Sequence, residues 1–252
     1  RRAKPSPGIR LILNPESRNL KRSKQPQSTF QMPGSAQHFI ESRVNLKEEI
    51  VHGTQSPSAW VRRWSHLVTP GGLVLDVACG HGRHARWFHE RGHPVVAVDR
   101  SPAAMASVAL AAPGCEGVLA DIENGPWPFA GRQFDAIIVT NYLWRALLPT
   151  LVDSLAPGAV LIYETFTQGN ETVGKPSRPD FVLRSGELLQ VCSGLRVVAF
   201  EDGFQSGPQG QAPRFIQRIA AMHEAASPAV ASGARHPAPA HPPRYRLPLG
   251  SE

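Results

Sequence analysis

The sequence contains no apolar run close to the roughly twenty residues that a membrane-spanning helix needs, and no segment shaped like the apolar centre of a signal peptide. Cysteine is scarce: Cys79, Cys115 and Cys192 are odd in number and lack the paired spacing of a zinc site. That argues against a disulfide-stapled domain and leads us to expect a reduced, cytoplasmic protein without a membrane anchor. His81, His84, His89 and His93 lie close together, but positions 84 and 89 are five apart and miss the i, i+4 spacing of ligands on one helix face. We therefore expect no metal and read these histidines as loop and surface residues. No internal repeat is visible, and the chain opens on Arg1, not Met, as a fragment of a longer protein does.

What is present is unevenly spread. The net charge is +7 over 252 residues, yet residues 1–55 hold ten of the 27 Lys and Arg and only four of the 20 Asp and Glu. The stretch 56–225 is almost neutral, with fourteen basic and fifteen acidic residues. The high isoelectric point therefore belongs to the ends, which weakens it as a sign of nucleic-acid binding. Residues 1–55 are polar, basic and without periodicity, and Pro and Ala dominate from about Ala225. We expect a disordered tail over 1–55, a folded domain over 56–224 and a flexible tail over 225–252.

The folded part is organised around Leu73-Val74-Leu75-Asp76-Val77-Ala78-Cys79-Gly80-His81-Gly82-Arg83-His84. This reads as a buried parallel strand, a glycine turn and the start of a helix. Glycines 80 and 82 permit positive φ and close approach of a ligand to the backbone. A second apolar strand, Pro94–Val98, ends in Asp99 about seventeen residues after Gly82, near the spacing of an acid that grips a ribose. Gly80-x-Gly82-x-x-Ala85 also satisfies the dinucleotide pattern formally, so a nicotinamide reductase is a competing reading. Asp76 decides against it: a carboxylate beside a pyrophosphate repels, whereas one beside an ammonium and a sulfonium attracts.

The remaining pattern alternates. Trp60, Val61, Trp64, Leu67 and Val68 recur at helical spacing and read as core. Ser101-Pro102 caps a helix over 103–111, and Val118–Ala120 is a short strand ending at Asp121. Phe134–Val139 is a buried strand, 145–155 a helix stopped by Pro157-Gly158, and Ala159–Tyr163 a further strand. A helix starts near Ser185, and Leu195–Phe200 and Arg214–Ala221 close the domain as a strand pair. The fold class is α/β: a doubly wound, Rossmann-like sheet of seven strands, mostly parallel, with an antiparallel hairpin at one edge.

The pattern V-L-D-x-x-C-G-x-G, with an acid ending the next strand, resembles class I S-adenosylmethionine-dependent methyltransferases. The polar segment 163–183 is similar to a loop in a bacterial group distantly related to tellurite-resistance and thiopurine-type enzymes. The resemblance covers about Ser58 to Met222 and implies S-adenosyl-L-methionine as cofactor. It implies that Asp76, Ala78, Gly80 and Gly82 hold the methionine moiety and that Asp99 accepts the ribose hydroxyls. Arg100 would lie beside the adenine, Asp121 and the Ile122 amide would take its amino group, and Asn141 would lie at the methyl group. Tyr142, Phe166, Asn170 and Arg178 would face the substrate. Tyr163, Glu164 and Asn141 are the candidates for catalysis, Glu164 as general base by position and Tyr163, like Tyr142 or Phe166, as an aromatic face for the sulfonium or methyl.

The sequence also departs from some relatives. Asn141-Tyr142-Leu143 lacks the proline pair of adenine and glutamine-amide methyltransferases, and 1–55 lacks the aromatic-basic interleaving of an RNA-binding module. A small-molecule acceptor is favoured. An RNA or protein methyltransferase docking through the basic tail is the alternative within enzymes, and a non-catalytic cofactor-binding scaffold is the alternative outside them.

Overall fold

A computed structural model describes residues 10–11, 56–207, 212–225 and 244–247. Its strands are β1 (Arg10–Leu11), β2 (Val74–Val77), β3 (Val95–Asp99), β4 (Glu116–Leu119), β5 (Phe134–Thr140), β6 (Leu155–Phe166), β7 (Arg196–Gln205) and β8 (Arg214–Met222). Its helices are α1 (Ala59–Trp64), α2 (Arg83–His89), α3 (Pro102–Ala111), α4 (Leu148–Asp153) and α5 (Glu187–Val191). The strands form one sheet in the order β1-β4-β3-β2-β5-β6-β8-β7. All neighbours are parallel except β8, which runs antiparallel to both β6 and β7. Seven of these strands are the expected sheet. Strand order reverses at β2, so the crevice lies beyond its carboxyl end.

The central strands are apolar on both faces because helices cover both. Leu75, Val77, Val96, Val98, Ile137 and Val139 face one core with Leu148, Leu151 and Leu188. Val74, Val95, Ala97, Ala136 and Ile138 face the other, with Trp60, Trp64, Phe88, Met105 and Val108. Each buried Val, Leu, Ile, Phe or Met among them contributes roughly 1.5–3 kcal/mol. Both α1 tryptophans are core, as expected, with rings 5.6 Å apart and edge to face, and Trp60 Nε1 donates to the Ile219 carbonyl. Ser101 accepts from the Ala104 amide with Pro102 at the first helical position, again as expected.

Several boundaries differ. The helix expected over 145–155 is a 3-10 turn, Arg145–Leu147, followed by the six-residue α4. Pro157-Gly158 does not stop that helix but lies inside β6, where a register shift opposite Phe134 and Ala136 absorbs the irregular residues. The two ends are not wholly tails. Arg10 and Leu11 pair in parallel with Val118 and Leu119 at the sheet edge; the rest of the expected 1–55 tail lies outside the described residues. At the other end, Tyr245 packs against the α1 core, its hydroxyl reaches Glu224, and the Arg246 carbonyl meets His66 Nε2 at 2.9 Å.

Candidate active site

The turn after β2 is built from left-handed residues: φ is 49° at Ala78, 54° at Gly80 and 77° at Gly82. Alanine in that region costs roughly 1 kcal/mol, so the turn is held by its surroundings. Gly82 is required by packing: a Cβ there would meet Val108 Cγ2 of α3 at 2.7 Å. Gly80 has open space instead, and its amide donates to Asp99 Oδ2 at 2.9 Å. Asp99 Oδ1 accepts from the Ser101 amide at 2.9 Å. One carboxylate thus ties the glycine turn to the start of α3, and each oxygen keeps a lone pair for a further donor.

Beside it is a cavity of about 210 Å³ lined by Ala78, Asp99, Arg100, Ala120, Asp121, Ile122, Glu123 and Tyr142. The Asp121 carboxylate accepts from the Glu123 and Asn124 amides and from Asn124 Nδ2; the Asn124 side chain leads in holding it below the ordinary carboxylate range. Arg100 lies 3.7 Å from Glu123. Among the described residues the Tyr142 hydroxyl meets no partner at hydrogen-bonding geometry, although burial and then the nearby Glu123 push its pKa up. The structure therefore brings Ala78, Asp99, Arg100, Asp121 and Ile122 together around one space, with Tyr142 from the substrate set. Ala120 and Glu123 were missed; Glu123 stands two residues after Asp121, in the turn that a strand-end aspartate forms. Three acids against one arginine suit adenosine with a cationic tail and oppose a diphosphate. Small apolar walls and acceptor oxygens fit S-adenosylmethionine.

Asp76 is not in that cavity. It is 1 % exposed, Oδ2 accepts from the Ala85 amide at 3.0 Å, and burial raises its pKa to about 8. The expectation that it faces a cationic amino-acid tail is corrected: it lies on the same face of β2 as Val74, beneath α2. His84, expected at the surface, is equally buried and pushed down to about 3. Its Nε2 accepts from the Ser58 amide at 3.1 Å, which leaves the proton on Nδ1, 4.0 Å from Asp76 Oδ1.

The catalytic candidates are mostly engaged elsewhere. Glu164 is 3 % exposed; Oε1 accepts from Ser58 Oγ at 2.9 Å and Oε2 from Arg218 Nη1 at 3.1 Å. Arg218 also pairs with Glu201 and stacks over Trp60. A carboxylate with both oxygens bound in this way is poorly placed to take a proton from an acceptor, so the general-base expectation is corrected. Tyr163 is corrected as well: its ring lies in the core and its hydroxyl donates to the Tyr142 carbonyl at 2.8 Å. Asn141 is exposed at the end of β5, with φ 54° and its amide on the Glu164 carbonyl.

The expected substrate loop closes on itself. Asn170 is buried, donating to the Pro176 carbonyl and accepting from the Phe215 amide. Arg178 is exposed, paired with Asp180 and stacked over Phe181. Phe166 is the half-buried last residue of β6. Arg145, which sequence reasoning missed, donates to the Pro179, Asp180 and Val182 carbonyls and to both Glu187 oxygens. It frames a second cavity of about 350 Å³ with Gln168, Glu171, Ser177 and Arg184. Among the described residues no cluster of His, Cys, Asp and Glu has metal-binding form, and no helix is long and apolar enough to cross a membrane.

Residues 74–158 match a family model described as a methyltransferase domain. A malonyl-[acyl-carrier protein] O-methyltransferase of Serratia marcescens is 31% identical over 107 residues, 40% of this chain and 41% of that protein. A phthiotriol/phenolphthiotriol dimycocerosates methyltransferase of Mycobacterium ulcerans is 28% identical over 119 residues, 44% and 43% of the two chains. The chain thus spans about two-fifths of the length of these curated relatives. Among solved structures, TehB from Haemophilus influenzae superposes with a TM-score of 0.56 at 17% identity, over 68% of this chain and 64% of that one. A SAM-dependent methyltransferase from Methanosarcina mazei gives 0.53 at 15%, over 68% and 100%. At these identities the two structures speak for the fold.

Proposed function

We propose that this chain, whose residues 74–158 match a methyltransferase domain model and whose sheet is Rossmann-like, is a class I methyltransferase that transfers a methyl group from S-adenosylmethionine to a small-molecule acceptor. The observation that carries this is the Asp99 carboxylate. It is fixed by the Gly80 and Ser101 amides and lines a cavity that Asp121 and Ile122 also line. In this reading Asp99 accepts the ribose hydroxyls, and Asp121 with Ile122 takes the adenine edge. Arg100 and Tyr142 flank the ring system, while Ala78, Gly80 and Gly82 bound the amino-acid end.

When bound, the cofactor supplies a methyl group activated by a sulfonium. The protein's part is to hold an acceptor in line with that methyl group, and placement of this kind accounts for much of a displacement's rate. Asn141 and Tyr142, at the carboxyl end of β5, border that position. The names of the curated relatives, a carrier-bound malonyl group and a lipid, support a non-macromolecular acceptor group. The reading in which an RNA or protein docks through residues 1–55 rests on a segment that, Arg10 and Leu11 aside, lies outside the described residues.

Calorimetry tests the proposal. S-adenosylhomocysteine is expected to bind and NAD not to, and Asp99→Asn is expected to weaken the former at least tenfold. Binding of NAD alone removes the proposal. Transfer of labelled methyl groups into a metabolite extract, run beside an RNA fraction, separates the acceptor classes.

A further inference from the structure

The start of α2 is held in place by partners from elsewhere in the fold. The helix follows the glycine turn directly, with Gly82 as its N-cap, and glycine has no side chain to accept from the first helical amides. At seven residues it is also too short to persist on its own hydrogen bonds. Asp76 supplies one hold from beneath, on the Ala85 amide at 3.0 Å. His84 supplies another: its ring, 1 % exposed, reaches across to Ser58, the N-cap of α1, and accepts that amide at 3.1 Å. An N-cap N–H has no acceptor within its own helix, and in a capping box a Glu or Gln three positions on reaches back for it. In α1 that position is Val61, so the acceptor comes from α2 instead. The Ser58 hydroxyl is committed as well, accepting from the Trp60 and Val61 amides at 3.1 and 3.4 Å and donating to Glu164 Oε1 at 2.9 Å. Glu164 is fixed in turn by Arg218 of β8. One residue therefore joins α1, α2 and β6, and the imidazole is the link to α2. Movement there reaches the turn: the Arg86 amide is on the Gly82 carbonyl at 2.8 Å, and the Gly82 amide is on the Cys79 carbonyl at 3.1 Å.

We propose that His84 is a positioning residue for the amino-acid end of S-adenosylmethionine: seated on the Ser58 amide, it fixes the first turn of α2 and, through it, the glycine turn that bounds that end. The inference rests on the methyltransferase reading and adds a residue that acts on the cofactor from beneath, without touching it. It also gives Glu164 a part to play, as the acceptor that anchors Ser58 to the sheet. The adenosine half of the cofactor has anchors that do not pass through His84. Asp99 is held by the Ser101 amide as well as by Gly80, and Asp121 by the turn that follows it. Loss of the imidazole therefore acts on one end of the cofactor and spares the other.

Calorimetry with two ligands tests this: S-adenosylhomocysteine, and 5′-methylthioadenosine, which lacks the amino-acid end. His84→Leu is expected to weaken the first at least tenfold and to leave the second within threefold, which also shows that the variant folds. His84→Gln, whose side-chain oxygen can replace Nε2 as acceptor, is expected to recover most of the loss. Ser58 supplies an independent pair. Alanine there removes the hydroxyl and keeps the amide; proline removes the amide too and adopts the φ of −50° found at Ser58. Ser58→Pro is expected to bind S-adenosylhomocysteine at least fivefold more weakly than Ser58→Ala, with 5′-methylthioadenosine unmoved, and this pair decides the matter if His84→Leu does not fold. Parental affinity in His84→Leu overturns the inference. So does loss of both ligands to the same degree, in His84→Leu or between the two Ser58 variants, because the imidazole then serves the fold as a whole. A parent protein that does not bind S-adenosylhomocysteine brings down the methyltransferase reading and this inference with it, a result distinct from a parent that binds and a His84→Leu variant that binds equally well.

Discussion

A carboxylate taken out of water keeps its proton, and Asp76 and His84 give opposite pH dependences for the same reason. Folded Asp76 holds its proton to about pH 8, whereas the unfolded chain loses it near 3.8. Between those limits the native state binds more protons, so stability falls as pH rises. His84 is the reverse: the unfolded chain takes a proton below 6.5 and the native state not until about 3. In that window stability falls as pH falls. The slopes oppose each other from about 3.8 to 6.5, and only that of Asp76 is left from 6.5 to 8. There it reaches at most ~1.4 kcal/mol per pH unit, or about 2 kcal/mol in all. Urea unfolding at pH 6.5 and pH 8 is expected to show this loss in the parent protein and none in Asp76→Asn, whose amide oxygen still accepts from Ala85. Parallel curves for the two proteins refute the assignment. The position of Asp76 was legible in part: side chains alternate along a strand, so residue 76 shares a face with Val74 and not with Leu75. Charge chemistry favoured an open carboxylate, but strand parity and the helix laid over that face buried it.

Elements were legible where a run of apolar residues bounded them, which is why β2, β3 and β5 lie where the sequence places them. They were not legible where a distant partner sets the structure. Segment 163–183 reads as an open, substrate-facing loop because it is polar. What closes it is Arg145, more than thirty positions upstream, whose five N–H donors are spent on three loop carbonyls and Glu187. The pairing holds the Glu187 carboxyl below its ordinary range against the opposing pull of burial. Charged hydrogen bonds of this kind contribute roughly 1.5–3 kcal/mol each but are not additive, and this guanidinium is one-third exposed. Arg145→Ala is expected to cost about 2–3 kcal/mol and to raise amide exchange at Phe181 and Val182 at least tenfold, with β2 and β3 unaffected. Exchange that rises evenly through the domain means Arg145 stabilises the fold generally and does not clamp the loop.

At the scale of the whole molecule the topology sorts function to one end of the sheet and support to the other. Every parallel strand delivers its carboxyl end to the cavity side, and strand order, which no local pattern encodes, makes β2 the point of reversal. β8 runs the other way, so its last residue, Met222, pairs with Val160 toward the amino end of the sheet. The chain returns at this end: Tyr245 reaches Glu224, just past β8, and Arg246 meets His66, past the end of α1. Composition alone made this segment a Pro-rich tail, because a single tyrosine among prolines carries no periodicity. Its contacts lie a sheet's length from Asp99 and Asp121, so the two ends are predicted to be separable. Truncation after Ala225 is expected to cost about 1–2 kcal/mol, a drop of a few degrees in Tm, while affinity for S-adenosylhomocysteine stays within twofold. A truncated protein that keeps its Tm but loses cofactor affinity contradicts this division, because among the described residues the contacts of Tyr245 and Arg246 lie at the opposite end of the packed sheet from the cavity.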